Sequence, residues 1–295
     1  MRVQKLGAGL IAQSQSALPP FILHRPTSLG EAVALTRQHP EAVIAAGCSD
    51  LVAQFREGLE PGVLISVQQI KELRAISKSA GVLSIGSLVT HAEGSRSPEI
   101  LSTMPALAAA WGSIATVRIR YRGTLGGNLL SRRYRYEMPV ILAALGGQMQ
   151  FHGGDITALP VSSLWDRDSL WDRNLGNVGI LTAVAVDTAS LLWFGYERSM
   201  RPVSTVSLAV RKNPVGGITV SAVCGSEYRQ PFLLSHTAEV TDITELDPVS
   251  VGRVLAAQLP EEAGDYAGSI DYRRHLVGVL CRRLLAEATG NQRKG

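Results

Sequence analysis

Short apolar runs alternate with helix-forming segments in the first third of the chain, and this alternation limits the folds that the chain can adopt. Residues 28–31 have the pattern of a capping box and predict a helix that ends before Pro40. The apolar run at 42–46, which a glycine ends, is typical of a buried strand. The same pattern predicts strands at 62–67 and 82–86. Strand–helix alternation of this kind indicates an α/β or α+β layer architecture.

Two glycine-rich turns are the strongest functional signals in the sequence. The first, Ala-Gly-Cys-Ser-Asp at 46–50, follows a predicted strand, and the second is Gly-Thr-Leu-Gly-Gly-Asn at 123–128. Small residues at a strand end let backbone N–H groups approach a phosphate closely. Neither turn matches the GxGxxG or GxxxxGK[ST] nucleotide motif, and either alone fits an ordinary tight turn. Two such turns flanking one α/β region indicate a cradle for a diphosphate.

The cysteine and histidine patterns argue against several classes of site. The three cysteines, Cys48, Cys224 and Cys281, form no CxxC pair, which argues against a zinc site or an iron–sulfur cluster within this chain. The six histidines form no HExxH motif, and no GxSxG elbow is present. We therefore predict no metal ligands and identify no catalytic residues. The chain is better suited to carrying a cofactor than to hydrolysis on its own.

The basic excess of the chain, a formal net charge of +4, is local. Six arginines fall within 18 residues: Arg118, Arg120, Arg122, Arg132, Arg133 and Arg135. Such a cluster suits nucleic acid, an anionic cofactor or an acidic partner, and equally a solvated basic loop. No helix-turn-helix or aromatic-laced pattern accompanies the cluster, so we predict no nucleic-acid partner.

The sequence also carries information on cellular location. The first 20 residues lack the pattern of a signal peptide, and no run approaches 18 uninterrupted apolar residues. The odd and sparse cysteine count argues against a disulfide scaffold and for a reducing compartment. We therefore expect a cytoplasmic protein with no membrane span.

A composition change near 190–202 predicts a domain boundary. Beyond it, strand-like runs at 203–211 and 217–226 predict a hairpin, and two helices are predicted at 250–259 and 271–288. Before it, the repeat Ser-Leu-Trp-Asp-Arg at 163–167 and 169–173 predicts a long loop. Its tryptophans, Trp165 and Trp171, either cap a pocket or cover the core, and the second alternative is favoured because aromatic rings contribute mainly by burial.

Several segments, in order from about Phe21 to Ala288, resemble the FAD-binding subunit or domain of the xanthine dehydrogenase and carbon monoxide dehydrogenase family. The matching segments are FILHRPTSLGEAVAL, AAGCSDLV, LSIGSLVTHAE, VRIRYRGTLGGNLL, GILTAVAV and DYAGSIDYRRHLVGVLCRRLL. The segment VRIRYRGTLGGNLL is the most specific, because the family has Ile-Arg-Asn followed by Gly-Thr-Ile-Gly-Gly-Asn there.

The resemblance implies an α+β protein with two parts. The first is a two-lobed FAD-binding domain of the vanillyl-alcohol-oxidase (PCMH-like) type, and the second is a small α+β C-terminal domain of the CO dehydrogenase flavoprotein type. We expect a leader at 1–20, the FAD-binding domain at 21–193 and the C-terminal domain at 200–290. Within the FAD-binding domain, the lobes are expected at about 21–77 and 78–193.

The resemblance also implies which residues would contact FAD. The residues of the first turn would hold the pyrophosphate, mainly through their backbone N–H groups. These residues are Ala46, Gly47, Cys48, Ser49 and Asp50. Those of the second turn would line the opposite wall: Thr124, Gly126, Gly127 and Asn128. Ile114 and Leu181 would lie beside the flavin, and Glu137 would bond the ribityl–adenosine part.

The sequence departs from the family pattern at several of these positions. Cys48 stands where the family has a glycine, and Glu137 stands where it has an aspartate. The run at 131–136, Ser-Arg-Arg-Tyr-Arg-Tyr, replaces a small, proline-containing segment. Family members often carry a lysine after the flavin-edge strand, whereas 174–199 contains none and Arg198 is the nearest cation.

The preferred interpretation is an FAD-dependent oxidoreductase subunit. Separate iron–sulfur and molybdopterin subunits would supply electrons, and FAD would pass them to NAD, oxygen or a quinone. Two alternatives remain open at this point. The chain could be a stand-alone flavoprotein of secondary metabolism, or a flavin-free paralogue that acts as a scaffold or binding protein, in which Cys48 and the arginines block the cradle.

Overall fold

The computed structural model describes residues 19–166, 175–199 and 203–290. Most of the predicted leader and Trp171 of the repeat therefore lie outside the described residues. The described chain contains three sheets, of three, five and four strands. The two glycine turns predicted to form the site lie in the part of the chain that forms the first two sheets and their connecting helices.

The first sheet is parallel. Its strands, in the spatial order β1-β3-β2, are β1 (Ile22–His24), β2 (Val43–Ala45) and β3 (Val63–Ser66). Parallel strands need crossover connections, which helices α1 (Leu29–Gln38) and α2 (Leu51–Arg56) supply. We call this unit the N-terminal lobe.

Helix α1 begins where the sequence predicts it, but its cap differs in detail. The Ser28 hydroxyl accepts a hydrogen bond from the Glu31 amide at 3.2 Å. The Glu31 carboxylate accepts from the Thr27 amide at 2.8 Å instead of from Ser28. The predicted capping box is therefore displaced by one residue at its acidic end. The helix packs against the second sheet and joins the two lobes.

The second sheet is antiparallel, with the spatial order β4-β5-β8-β6-β7. Its strands are β4 (Ile76–Ser79), β5 (Val82–Gly86), β6 (Gln148–Gly153), β7 (Ala158–Pro160) and β8 (Gly179–Asp187). Two 3-10 helices, Val67–Gln69 and Lys71–Arg74, lead into it from the N-terminal lobe. Strand β4 begins just before the predicted lobe boundary at 77.

Helices between β5 and β6 cover one face of this sheet. They are α3 (His91–Gly94), α4 (Pro98–Thr103), α5 (Pro105–Ser113), α6 (Val117–Arg120), α7 (Leu125–Leu130) and α8 (Glu137–Ala144). Every residue of α8 after Glu137 is buried, as expected for a helix that is apolar on all sides. We call the sheet and these helices the second lobe.

The first copy of the tryptophan repeat forms an ordered element. Residues Val161–Trp165 form a 3-10 helix, so the prediction of a long loop is wrong for this part. Trp165 packs against the core of the second lobe, which confirms the favoured core-covering role for this ring. A short helix, α9 (Leu175–Val178), then leads into β8.

The third sheet is antiparallel, in the order β12-β11-β10-β9, and has its own core. Its strands are β9 (Leu191–Arg198), β10 (Thr205–Lys212), β11 (Ile218–Gly225) and β12 (Phe232–Ala238). Helices α10 (Pro248–Ala257) and α11 (Ile270–Ala288) pack on each other, and 3-10 turns occur at Ile243–Glu245 and Glu261–Ala263. The predicted hairpin between β10 and β11 is confirmed.

Strand β9 was not predicted from the sequence. The composition change at 190–202 was interpreted as a domain boundary, and β9 lies within that range. It pairs with β10 along the third sheet and so extends across the predicted end of the FAD-binding domain at 193. In the described ranges, no helix is both long and apolar enough to cross a membrane.

Candidate functional site

The two glycine turns meet between the N-terminal and second lobes. Gly47 is buried, and a Cβ atom at this position would lie 1.9 Å from the backbone oxygen of Arg122. No side chain fits at that distance, so the contact requires glycine. The backbone of the first turn therefore rests on the residue that precedes the second turn. The two predicted halves of the cradle are brought together.

The first turn presents unused hydrogen-bond donors. No residue in the described part of the chain accepts a hydrogen bond from the backbone N–H groups of Gly47, Cys48, Ser49 or Asp50. Unpaired backbone N–H groups that converge in a turn are a common binding site for anions. This arrangement fits the phosphates of a dinucleotide.

Cys48 occupies the turn without filling the cleft. Its φ of 60° lies in the left-handed region, where the family has glycine. Its thiol lies 3.4 Å from the Ala46 carbonyl oxygen, so the side chain turns back along its own strand. Burial raises the pKa of the thiol, and the nearby Arg122 partly offsets this. The thiol is therefore protonated at neutral pH.

Several backbone amides of the second turn already donate hydrogen bonds to other groups of the protein. The Thr124 hydroxyl caps α7 by accepting from the Gly127 amide at 3.2 Å, and the Gly126 amide donates to the Ser87 carbonyl at 2.8 Å. Its backbone therefore offers fewer donors to a ligand than the first turn does. The buried Oδ1 atom of Asn128 has no hydrogen-bond partner among the described residues. Such an orphaned acceptor fits a hydroxyl or N–H group of a bound molecule.

A cleft of about 700 Å³ opens beside the junction of the two turns. Three arginines line it: Arg74, Arg96 and Arg122. Among the lining residues that the structure describes, Glu93 is the only acidic one. Arg74 pairs with Glu93 at 3.7 Å, and Arg96 donates to the Tyr121 hydroxyl at 3.0 Å. The Arg122 guanidinium has no hydrogen bond or ion pair within the described ranges, so its charge is available to an anion.

His91 supports the second turn from behind. Its amide donates to the Gly123 carbonyl at 3.0 Å, and its Nδ1 accepts from the Trp111 indole at 2.7 Å. Burial, with a smaller contribution from Arg120, lowers the pKa of the imidazole to about 4. His91 is therefore neutral at physiological pH and positions the turn instead of exchanging protons there.

Asp50 is tied to the run that replaces the family's small segment. Its Oδ1 accepts from the Tyr136 hydroxyl at 2.7 Å and lies 3.3 Å from the Arg133 Nε. The Arg133 Nη2 also donates to Glu57 at 2.6 Å. These contacts join the N-terminal lobe to the second lobe beside the first turn.

Three predicted site residues lie around the second lobe. Leu181, on β8, comes within 3.5 Å of the position that a Cβ atom on Gly126 would take, so it lies beside the second turn. Glu137 accepts hydrogen bonds from Tyr196 and, at 3.0 Å, from Arg198 on β9. Ile114 is buried in the core of the second lobe. Their roles toward a flavin stay predictions.

Only some of the residues predicted to bind FAD line the cleft. Ala46, Gly47 and Thr124 line it, whereas most of the other predicted residues lie beside it or in the core. The sequence analysis missed other lining residues, including Gln68, Arg74, Thr90 and Arg96. They lie in or beside short helices along 67–96, and no spacing pattern joins them. Arg122 was noticed, but only as one member of the basic cluster.

No group of three or more histidine, cysteine or acidic side chains suited to a metal ion occurs among the described residues. The arrangement instead suits a dinucleotide: glycine-dependent backbone contact, free amides, an available cation and an orphaned acceptor. A fold of this kind with such a site defines a class of FAD-binding proteins, and comparisons with known proteins agree.

Residues 18–186 match the family described as "FAD binding domain in molybdopterin dehydrogenase". The match covers more than half of the sequence, and the chain belongs to this family. It carries the FAD-binding domain of that family, which confirms the predicted cofactor, family and α+β fold class.

Two relatives and one solved structure illustrate the likeness. The caffeine dehydrogenase subunit beta of Pseudomonas sp. strain CBB1 is 36% identical over 128 residues, which are 42% of this chain and 43% of that relative. The nicotine 6-hydroxylase medium subunit of Paenarthrobacter nicotinovorans is 28% identical, over 92% of this chain and 98% of that one. A chain of quinoline 2-oxidoreductase from Pseudomonas putida 86 superposes with a TM-score of 0.77 at 23% identity, over 94% of this chain and 99% of its own length, and supports the fold alone.

Proposed function

We propose that this chain is the FAD-binding subunit of a multi-subunit molybdenum hydroxylase and passes electrons from partner subunits to a terminal acceptor. The observation that carries the proposal is the junction of the two turns, where Gly47 and Arg122 line one cleft and the unpaired backbone amides of 48–50 follow Gly47 in the same turn. Backbone amides donate hydrogen bonds to phosphate oxygens, and a free guanidinium offsets part of the negative charge of a diphosphate.

The residues of this chain would hold FAD in defined ways. The amides of 47–50, after Ala46, and the Arg122 side chain would bind the diphosphate. Thr124, Gly126 and Gly127 would form the facing wall, and the Asn128 Oδ1 would accept a hydrogen bond from the cofactor. Leu181 would lie beside the flavin, with Ile114 packed near it, and Glu137 would bond the ribityl–adenosine part. When bound, FAD supplies the redox chemistry, accepting electrons from one protein and giving them to another acceptor.

Partners are proposed from two independent considerations. The relatives are named as a subunit beta and a medium subunit, so their enzymes contain further subunits. This chain has three cysteines, too few for the four thiolates that an iron–sulfur cluster takes. Iron–sulfur and molybdopterin groups would therefore be carried by separate polypeptides, in a complex that we place in the cytoplasm.

The direction of the Cys48 thiol disfavours the flavin-free alternative. That alternative needs the cysteine to block the cradle, whereas the thiol turns toward the Ala46 carbonyl and is not among the residues that line the cleft. A stand-alone flavoprotein would share the same cleft, so an experiment has to separate it from a subunit.

The experiment is a visible absorbance spectrum of the purified chain with added FAD, alone and co-expressed with its neighbouring gene products. We expect flavin bands that stay with the chain through desalting, and co-purification with an iron–sulfur protein. A yellow chain that oxidises substrates without partners would support the stand-alone alternative. A colourless chain that retains no FAD at saturating concentration would overturn the proposal.

A further inference from the structure

Helix α2, directly after the first turn, lacks the usual support of a core. It has six residues, and none of them is fully buried. Isolated helices this short are unstable in water, and helices in proteins are usually held by packing an apolar face. Its main aromatic contact, Phe55 with Phe21 at 6.0 Å between ring centroids, stays within the N-terminal lobe. Its position relative to the second lobe therefore needs another cause.

Polar contacts from the second lobe reach both ends of α2. Asp50 is the N-cap of the helix and Glu57 is its C-cap. The Arg133 guanidinium lies 3.3 Å from Asp50 and 2.6 Å from Glu57, and the Tyr136 hydroxyl donates to Asp50 at 2.7 Å. Arg133 thus spans the helix from one end to the other. We call these four residues the lobe latch.

Asp50 is used in this contact instead of capping its own helix. An aspartate at the N-cap position normally accepts from an amide in the first helical turn. The Asp50 carboxylate makes no such bond, and its φ and ψ of −88° and −37° are helical. Both of its oxygens are taken by side chains, Oδ1 by Arg133 and Tyr136 and Oδ2 by Gln54. The local capping bond is replaced by a contact between lobes.

The latch is sheltered enough to matter energetically. The side chains of Asp50 and Arg133 are 13% and 24% exposed. Hydrogen bonds that join charged groups away from bulk water are stronger than exposed ion pairs. Glu57 is 55% exposed and contributes less. The contacts at Asp50, next to the unpaired amides of the turn, are therefore the critical part.

We propose that Arg133 and Tyr136 are positioning residues that hold α2 and the first turn in the conformation that binds the FAD diphosphate, and thereby slow FAD release. This inference rests on the proposed function for its ligand. It assigns a role to the run at 131–136, which departs from the family's small segment. The run fastens the cradle from the opposite lobe and leaves Gly47 and Arg122 free to meet the cofactor.

The test compares Tyr136→Phe, Arg133→Ala and Asp50→Asn with the wild-type chain. Two readouts are used: the FAD dissociation rate, from flavin fluorescence after dilution, and hydrogen exchange of amides 47–57 in the FAD-free protein. Removing one hydrogen bond to a charged group should speed FAD release about tenfold. Exchange across 47–57 should rise by a similar factor of about ten, because the turn and α2 open more often.

Matched controls separate a latch from general destabilisation. Tyr272→Phe and Arg283→Ala remove the same groups from exposed positions on α11 and should change neither readout. The double variant Asp50→Asn with Tyr136→Phe should release FAD no faster than the worse single variant, because both substitutions break one contact. Independent structural damage would instead multiply the two effects.

The outcomes distinguish this inference from the proposed function. If the wild-type chain binds FAD but all three variants release it at the wild-type rate with unchanged exchange, the latch is overturned and the proposed function stands. If the wild-type chain binds no FAD, the retention role fails together with the proposed function. In that case, exchange across 47–57 that is unchanged in the variants would also reject the ordering role.

Discussion

Cys48 has a backbone conformation that cysteine rarely adopts. Its φ of 60° is left-handed, and non-glycine residues in that region are strained by about 1–2 kcal/mol. The turn has to pass through this conformation because Gly47, just before it, lies against the Arg122 carbonyl. The neighbouring contact therefore fixes the shape of the turn, and Cys48 tolerates it.

Two substitutions at this position should have opposite effects. Cys48→Gly should leave the free energy of unfolding unchanged or raise it by about 0.5 kcal/mol, because relief of strain exceeds the entropy that glycine adds to the unfolded chain. Cys48→Val should lower it by about 2 kcal/mol, because a β-branched residue is worse in this region. Urea unfolding measures both. A tenfold gain in FAD affinity in the glycine variant would mean that the thiol obstructs the cradle.

Arg122 contributes to the site with both its backbone and its side chain. Arg122→Ala should keep the backbone contact with Gly47 and weaken FAD binding about tenfold through loss of one charge-assisted contact. Arg122→Glu should weaken binding further, and added salt should reduce the difference between the variants. Calorimetric titration with FAD gives the dissociation constants. Arg118→Ala, at an exposed position outside the cleft, is the control; equal losses in Arg118→Ala and Arg122→Ala would contradict a specific role.

At the scale of elements, a buried ion pair fixes the start of α11. The Asp265 carboxylate and the Arg273 guanidinium are each 4% exposed, and Arg273 also donates to the carbonyls of Val203 and Gly268. Burial acts to raise the pKa of Asp265, but the hydrogen bonds from Arg273 and the Ala267 amide outweigh it, and the pKa is lowered. The folded state therefore favours the charged carboxylate.

The lowered pKa of Asp265 determines how the stability of the fold changes with pH. A carboxyl with a lower pKa in the folded state stabilises the fold above its unfolded pKa of about 3.9 and loses that contribution as the pH falls through the folded value. Asp265→Asn should lower the free energy of unfolding by about 3 kcal/mol at pH 7, because it leaves a buried arginine without its counter-charge. Urea unfolding from pH 7 to pH 3 should show the difference from wild type shrinking below about pH 4.

The control for this pair is a surface ion pair between α11 and β9 of the third sheet. Glu197→Gln breaks the contact with Arg283, whose side chain is 60% exposed, and should cost about 0.5 kcal/mol or less. A loss in Asp265→Asn that is no larger than this, or that persists unchanged at pH 3, would show that the buried pair does not stabilise the start of α11.

Elements with a local signal could be predicted from the sequence. The apolar run at 42–46 predicted β2, Ser28 predicted the start of α1, and the two glycine turns pointed to the segments that meet at Gly47 and Arg122. Features that depend on distant residues could not. Asp50 meets Tyr136 across 86 positions and Glu137 meets Arg198 across 61, and no periodicity or motif connects them. Arg74 and Arg96 come to the cleft only because the chain folds there.

At the scale of the whole molecule, the segment before and at the start of α8 connects three units. Arg133 and Tyr136 reach the N-terminal lobe through Asp50, and Glu137, the next residue, reaches the third sheet through Tyr196 and Arg198. Arg198 also donates to the Ser113 carbonyl of α5 at 3.3 Å. Residues 133–137 and Arg198 therefore connect the N-terminal lobe, the second lobe and the third sheet through side-chain contacts.

The central claim is that the two glycine turns enclose the diphosphate of FAD. A crystal structure of the chain grown with excess FAD tests it most directly. We predict electron density for the diphosphate within hydrogen-bonding distance, about 2.7–3.2 Å, of the amides of 47–50 and of the Arg122 guanidinium. A cleft that is empty, or filled by the chain's own side chains at saturating FAD, would contradict the account.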